Sequence, residues 1–246
     1  VQYVRFFKGV LGGDFGMSVE YKAPAMRLVM ERLPATLKLA FAAYILSIAI
    51  AFPTGLLSAA RRKSYWDRGS LLLTAFLQSV PDFWFGLILI LVFAVWLRWL
   101  PAFGEGGVLH LIMPALSASA YLAGRLARLI RAGMLEVLQQ DYIVAARSKG
   151  LKEFRVVTLH ALRNASLPLV TVMGTDFGVL LGGTVVTEAV FAWPGVGQLT
   201  VQAIYHRDFA IVQATVFLLA TFFVLINLAV DLAYGILDPR VQVAKK

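Results

Sequence analysis

Five long apolar runs constrain what this chain can fold into more than any other feature. They cover approximately residues 36–60, 70–97, 111–133, 167–187 and 211–236. Each is long enough to cross a hydrocarbon core of about 30 Å, which takes about 20 helical residues. Because backbone polar groups in lipid need internal hydrogen bonds, such runs fold as helices. The sequence therefore predicts an all-α, polytopic membrane helix bundle with five spans.

The composition agrees with membrane insertion and excludes several classes of protein. The chain has 246 residues, of which 59% are hydrophobic and 15% charged, against about 45–50% and 25% in soluble domains. The net charge of +9 does not indicate nucleic-acid binding, because the basic residues flank the apolar runs and no aromatic-basic interleaving is present. The absence of cysteine excludes thiolate metal sites, and His110, His160 and His206 are too isolated for a metal site.

The distribution of Lys and Arg predicts the orientation of the spans. The loop at 61–68 and the segment at roughly 125–163 are rich in basic residues, whereas the other two loops hold only Arg98 and Arg207. By the positive-inside rule, the first and third loops and the C-terminal tail, 237–246, are expected on the cytoplasmic side.

Alternation of the spans then places the N-terminus outside. Residues 1–31 are expected to be an outward-facing segment, with a short amphipathic helix at 24–34 on the interface, and residues 32–236 form one transmembrane domain. The N-terminal 35 residues are moderately basic, and no start Met precedes them. We therefore expect one further span before Val1, which would make six.

The third loop, 141–165, is amphipathic and too polar for lipid. Asp141 is predicted to cap a short helix, YIVAARSK, and Gly150 to end it. A second helix is predicted to start at once, with Arg163 off its apolar face, and Pro168 to open the next apolar run. The apolar face comprises Leu151, Phe154, Val157, Ala161, Leu162 and Ala165. Such a surface predicts docking of a soluble partner, with Leu151, Phe154 and Val157 in contact.

Several motifs in this order resemble a known family. Ala145-Ala146, Gly150 and Leu167-Pro168 resemble the "EAA" loop of the membrane subunits of ABC importers. The sequences HALRNASLPLVT, VVTEAVFAWPGVGQLTVQAI at 185–204 and NLAVDLAYGILDPRV at 227–241 are similar to the dipeptide, oligopeptide and nickel branch. Val144 replaces the Glu for which the loop is named, and the Gly-to-Pro interval is longer than in the general pattern.

The resemblance implies a type I ABC importer transmembrane domain in a bacterial or archaeal inner membrane. The expected partners are a second permease subunit, forming a heterodimer, two ATP-binding subunits and an external substrate-binding protein. The chain has no phosphate-binding Gly-x-x-x-x-Gly-Lys-Ser/Thr loop. No cofactor is therefore expected in it, and the partner subunits would hydrolyse ATP. The resemblance implies peptides as solutes, or nickel or related small solutes.

Three acidic residues are candidates for the translocation pathway. A charge at the centre of a span costs about 2.5–3.5 kcal/mol on insertion scales, so Asp176 is expected to face protein or water. It would either meet a cationic group of the solute or form a structural hydrogen bond. Asp82 follows Pro81, which is expected to kink the second span, and would either cap the next half-helix or contact solute. Glu188 opens an outer loop, EAVFAWPGVG, in which Trp193 is either an interfacial anchor or part of a gate.

A row of small residues predicts close helix packing. Gly174, Gly178 and Gly182 recur every four residues, which is a small-xxx-small face. The partner helix would belong either to this chain or to the second permease.

Two other functions are compatible with a bundle of spans. An ion-coupled secondary transporter would use Asp82 and Asp176, but it predicts repeated halves with broken helices, and no such repeat is found. An intramembrane enzyme would need convergent titratable groups, and nothing in the sequence pairs Asp82, Asp176 and Asp231.

Overall fold

The computed structural model describes residues 9–10 and 12–237, apart from the side chains of residues 167, 168, 170, 171 and 233–237. Within this part of the chain the regular structure is helical, with one isolated antiparallel bridge between Met17 and Pro24. In chain order, the elements are α1 (Ala25–Ala60), α2 (Tyr65–Ser79), α3 (Asp82–Leu89), the π-helix π1 (Ile90–Trp96), α4 (Val108–Val137), α5 (Asp141–Ser148), α6 (Glu153–Arg155), the π-helix π2 (Val156–Ala161), α7 (Leu162–Val190), α8 (Val196–Tyr205) and α9 (Phe209–Leu237).

Contacts divide the described residues into two compact units. The first unit comprises 12–43, 82–118 and 178–225, and the second comprises 44–81, 119–177 and 226–237. In the first unit, one core cluster joins α1 to α8 and α9, with Val29 and Ile211 fully buried, and another joins π1 to α4 through Ile90 and Met113. The second unit contains the whole loop 141–165 and the basic half of α4.

The N-terminal part of α1 corrects the sequence prediction. A separate interfacial helix at 24–34 was expected before a span at 36–60, but one helix covers Ala25–Ala60 without interruption. Its first turns are buried in the core of the first unit through Ala25, Val29 and Leu33. The segment is therefore a packed extension of the first predicted span.

The predicted break at Pro81 is confirmed. Helix α2 ends at Ser79, and Val80 is extended, with φ −89° and ψ 126°. A proline disfavours the helical conformation of the residue before it, so the helix stops at this point. A new helix, α3, then begins at Asp82.

Length and composition identify candidate spans among the described residues. The helices Ala25–Ala60 and Phe209–Leu232 are long and apolar enough to cross a membrane, and the pair Tyr65–Ser79 and Asp82–Trp96 is a third if it is one broken span. The predicted spans 111–133 and 167–187 lie within helices α4 and α7. The total of five stays a prediction.

Candidate functional site

The helix α5 starts one residue differently from the prediction. Asp141 was expected to be its cap, but Gln140 is the N-cap residue and makes no side-chain cap hydrogen bond. Asp141 is instead the first helical residue. Its carboxylate there lies at the positive end of the helix dipole, which is favourable.

The end of α5 matches the prediction for Gly150. This glycine has φ +77°. Its N–H donates to the Arg147 carbonyl at 2.9 Å, and the Leu151 N–H donates to the Ala146 carbonyl at 3.4 Å. These are the two bonds of the Schellman motif, which requires a left-handed residue after the helix cap.

Two side-chain contacts link α5 to the segments that follow it. Arg147 donates two hydrogen bonds to Glu153, at 2.7 and 3.1 Å, and these bonds raise the pKa of Arg147. The pair is exposed, so its contribution to stability is small, at most about 1 kcal/mol. Asn164 also donates to the Tyr142 hydroxyl at 2.6 Å. These contacts define the angle at which the chain leaves Gly150.

The predicted apolar docking face is divided between the interior and the surface. Val157, Ala161 and Ala165 are buried, Leu151 is half-buried, and Phe154 is 78% exposed. Val157 is therefore packed inside this chain, and its part in a docking surface stays a prediction. The buried residues Val157, Ala161 and Ala165 are four residues apart, whereas Phe154 precedes the π-helix at Val156–Ala161.

A different set of apolar side chains is exposed on the loop. The members are Tyr142, Val144, Phe154 and Leu159, with exposed fractions of 38%, 54%, 78% and 61%. Of the other predicted loop residues, Ala145 and Arg163 are exposed and Ala146 is buried. The helical backbone runs through residue 168, so Pro168 does not open a helix, and its side chain lies outside the described part.

Arginines spaced three residues apart on α4 each contact a different segment of the second unit. Arg131 donates to both carboxylate oxygens of Asp67, at 2.8 and 3.1 Å. Asp67 is 3% exposed. Arg128 donates to the side-chain oxygen of Gln78. The basic half of α4 is therefore held to α2 by polar side chains that the sequence did not pair.

The third contact of this row involves Asp176. Arg125 donates to its carboxylate at 2.5 Å, and Asp176 is 3% exposed. Among the described residues, its second carboxylate oxygen is buried without a hydrogen-bond partner. The contact corresponds to the structural alternative in the sequence prediction, because the charge is balanced within this chain. A pathway role for Asp176 stays a prediction.

Asp82 is the first residue of the half-helix α3, and its capping role stays a prediction. It is half-buried, and its backbone carbonyl accepts a hydrogen bond from the Ser117 hydroxyl at 2.8 Å. This bond fixes the start of α3 to α4 within the first unit.

Glu188 and Trp193 are both buried, in contrast to the exposed positions expected for a pathway residue and an interfacial anchor. Glu188 has no exposed surface, and it accepts hydrogen bonds from the backbone N–H groups of Gly197 (2.7 Å) and Gln198 (3.2 Å). It therefore holds the N-terminus of α8. Trp193 is also fully buried, and its indole N–H donates to the Ala35 carbonyl at 2.9 Å. These contacts give both residues a structural role in this conformation.

The predicted glycine row has different surroundings at its two ends. A Cβ added at Gly174 would lie 2.4 Å from a methyl carbon of Val230. Gly178 is buried, whereas Gly182 is exposed, and no atom of the described residues lies within 4 Å of a Cβ added there. Gly174 thus packs against α9 of this chain, and the Gly182 end is open.

We expect opposite effects on stability from alanine at the two ends of this row. Gly174→Ala should lower the free energy of unfolding by about 1–3 kcal/mol, because the stiff Val230 side chain must move. Gly182→Ala should stabilise the helix by up to about 1 kcal/mol, since alanine has the higher helix propensity. Thermal unfolding in detergent measures both, and equal effects would contradict this packing.

The sequence reasoning missed Asp208, which lies 1% exposed directly before α9. Its carboxylate accepts hydrogen bonds from the Ser18 hydroxyl (2.5 Å) and the backbone N–H groups of Val19 (3.0 Å) and Ile211 (3.4 Å). Burial acts to raise the pKa of Asp208, but these hydrogen bonds outweigh it and lower the pKa. An aspartate before an apolar run is a helix-start signal that was available in the sequence.

Asp208 also borders a cavity of about 230 Å³ in the first unit. Glu20, Tyr21, Gln202 and His206 are among the other lining residues, and His206 Nδ1 lies 3.1 Å from a Glu20 carboxylate oxygen. These contacts tie the segment before α1 to the turn between α8 and α9.

The sequence matches one family over most of its length. A profile described as the binding-protein-dependent transport system inner membrane component matches residues 51–243. The chain is 43% identical over 255 residues to the oligopeptide transport system permease protein AppB of Bacillus subtilis (strain 168). It is 37% identical over 272 residues to the dipeptide transport system permease protein DppB of Escherichia coli (strain K12). Each alignment covers 98% of this chain and 80% of the relative.

Solved structures with the same fold are also found. An inward-facing conformation of the MetNI methionine ABC transporter superposes with a TM-score of 0.74 at 21% identity, covering 87% of this chain and 97% of that one. An amino acid ABC transporter with histidines gives a TM-score of 0.62 at 16% identity, covering 87% and 94%. At these identities the likeness concerns the fold alone. It confirms the predicted class, an all-α transmembrane domain of the type I ABC importer kind.

Proposed function

Because this chain belongs to the family of binding-protein-dependent transport system inner membrane components, we propose that it forms a peptide translocation pathway with a second, different permease subunit. The chain is a permease subunit of an ATP-driven importer and a transport component rather than an enzyme. The alternative of an ion-coupled secondary transporter is therefore wrong. Peptides are the proposed solutes, since the relatives are named as oligopeptide and dipeptide permeases.

The loop 141–165 is the proposed contact with the two ATP-binding subunits. The observation that supports this role is the exposure of Tyr142, Val144, Phe154 and Leu159 on an otherwise basic loop. Apolar side chains on a charged surface are typical of a protein interface. Phe154 is the proposed anchor, because large aromatic side chains dominate the energy of most interfaces. ATP hydrolysis in the partner subunits would then move this loop.

The remaining parts of the proposal follow from the charge distribution. The loop 141–165 and the C-terminal tail face the cytoplasm, and an external binding protein delivers solute to the opposite side. Among the three predicted pathway acids, Asp176 and Glu188 each have one buried carboxylate oxygen without a hydrogen-bond partner among the described residues. Glu188 also bonds the N-terminus of α8, and Asp82 lies at the start of α3.

Phe154→Ala tests the proposed ATPase contact. We expect the affinity for the ATP-binding subunits to fall by about 2 kcal/mol or more, roughly thirtyfold, as for a truncated interface anchor. Co-purification of these subunits and ATP-dependent dipeptide uptake into cells measure the effect. The matched control is Phe76→Ala, a 49% exposed phenylalanine on α2. If both variants retain full co-purification and uptake, Phe154 is not the anchor.

A further inference from the structure

The exposed residues of the second half of α4 form one stripe. They are Tyr121, Arg125, Arg128, Ala132 and Glu136, and their spacing of three or four residues is that of a single helix face. Between them lie buried apolar residues, including Leu126, Ile130 and Met134. The surface that α4 presents outside the chain is therefore polar, with two guanidinium groups and a carboxylate.

The corresponding surface of α9 is apolar. The exposed residues in the second half of α9 include Leu228 and Leu232. These two leucines are 52% and 62% exposed. Both helices are predicted to run towards the cytoplasmic side. A charged group in hydrocarbon costs several kcal/mol, and the α4 stripe must therefore contact water or polar groups.

The charges of this stripe are not all balanced within the chain. Arg125 is paired with Asp176, and Arg131, beside the stripe, is paired with Asp67. Among the described residues, the side-chain partner of Arg128 is the neutral amide of Gln78, and no carboxylate lies within ion-pair distance of it. Gln78 is itself oriented, because its amide nitrogen donates to the Thr74 carbonyl at 3.3 Å. Within the part of the chain that the structure describes, the Arg128 guanidinium is thus positioned but not neutralised.

We propose that this stripe lines the aqueous translocation path and that Arg128 binds the carboxylate of the passing solute. The inference rests on the proposed peptide permease function and deepens it, since it assigns the solute a free carboxylate. A guanidinium accepts the two oxygens of a carboxylate in a bidentate pair. Helix α4 leads directly into the loop 141–165, so a movement of that loop also moves Arg128. The phosphate of an anionic lipid offers similar oxygens, and the experiment separates the two sources.

Thiol labelling tests whether the stripe faces water. The chain has no cysteine, so Ala132→Cys and its matched control, Leu232→Cys, each introduce a single thiol. Both variants are assembled with the second permease and the ATP-binding subunits, and are treated with a charged, water-soluble thiosulfonate with and without ATP and vanadate. We expect position 132 to react in at least one state and position 232 to resist. Resistance of position 132 in both states, or equal reaction of both positions, would overturn the proposal.

Protection of the same thiol tests the carboxylate. In vesicles of neutral phosphatidylcholine, excess alanylalanine should slow the labelling of Ala132→Cys severalfold, whereas its C-terminal amide should not. Adding Arg128→Gln should abolish this protection, and Arg128→Lys should retain part of it. Equal protection by the dipeptide and its amide overturns the proposal. The proposal is also overturned if added phosphatidylglycerol slows the labelling and the dipeptide does not. That result would assign Arg128 to a lipid headgroup.

Different results would contradict the role of Arg128 and the proposed peptide permease function. If the Ala132→Cys complex retains the ATP-binding subunits and imports dipeptide but shows no protection, only the role of Arg128 is wrong. If the unaltered complex neither retains those subunits nor imports dipeptide, the proposed peptide permease function is wrong, and this inference falls with it.

Discussion

Asp67→Ala is expected to destabilise the second unit by about 3–5 kcal/mol, the usual effect of removing one partner from a buried ion pair. Asp67 is 3% exposed and accepts hydrogen bonds from the Ser58 hydroxyl (2.6 Å) and the Lys63 backbone N–H (2.9 Å), besides the two from Arg131. Its removal leaves the Arg131 guanidinium partly buried without an anion. It also releases the turn between α1 and α2. The measurement is thermal unfolding of the purified permease in detergent.

An exposed ion pair of the same chain provides the control. Arg27 and Glu31 are four residues apart on α1, and their side chains are 74% and 56% exposed. Glu31→Ala should change stability by no more than about 0.5 kcal/mol, since solvent screens such pairs. The loss of stability in Asp67→Asn should lie between those of Asp67→Ala and Glu31→Ala, because the amide oxygen still accepts hydrogen bonds. Similar unfolding temperatures for Asp67→Ala and Glu31→Ala would contradict the structural role of the buried pair.

Much of the fold was predictable because a helix that crosses lipid needs a long apolar run, which is easily recognised in the sequence. Long apolar runs must be helical in lipid, and the break at Pro81 follows from local backbone geometry. The continuity of α1 through residues 25–36 was not predictable in this way. Its first turns are helical because Val29 and Leu33 pack on residues of α8 and α9, which are distant in sequence.

For the loop 141–165, the sequence predicted where the first helix ends but not which apolar side chains are exposed. Gly150 was identified correctly, since a helix-ending glycine follows local rules. The apolar face was assigned with the ordinary helix period, whereas the chain forms a π-helix at Val156–Ala161. Val157 is buried and Phe154 is exposed, and only the three-dimensional packing distinguishes them.

The polar contacts of the spans were the least predictable part. A sequence identifies Asp176 as a costly residue within a span, but it does not say which arginine balances it. The row Arg125, Arg128 and Arg131 was interpreted only as a signal of orientation. In the structure each of these arginines binds a separate side chain, and the same residues therefore organise the second unit.

Gly150→Val is expected to reduce dipeptide uptake by a factor of roughly 5 to 30 while leaving the spans folded. The residue has φ +77°, and a Cβ at this position would meet no atom within 4 Å. The effect therefore comes from the backbone alone. A left-handed conformation costs a residue with a side chain about 1–2 kcal/mol, which corresponds to that factor in population. Loss of the Schellman bonds would change the direction of the chain towards Phe154 and misplace the proposed ATPase contact.

Gly150→Asn is the matched control, because asparagine tolerates the left-handed region and can replace glycine at the end of a helix. Its uptake should stay close to that of the unaltered protein, and Gly150→Ala should lie between asparagine and valine. Uptake and co-purification of the ATP-binding subunits should fall together across the series, whereas thermal unfolding of the spans should remain constant. If the valine variant transports normally, the turn at Gly150 does not define the docking geometry. If transport follows side-chain size instead, with asparagine as poor as valine, the cause is a contact with a partner subunit and not the backbone conformation.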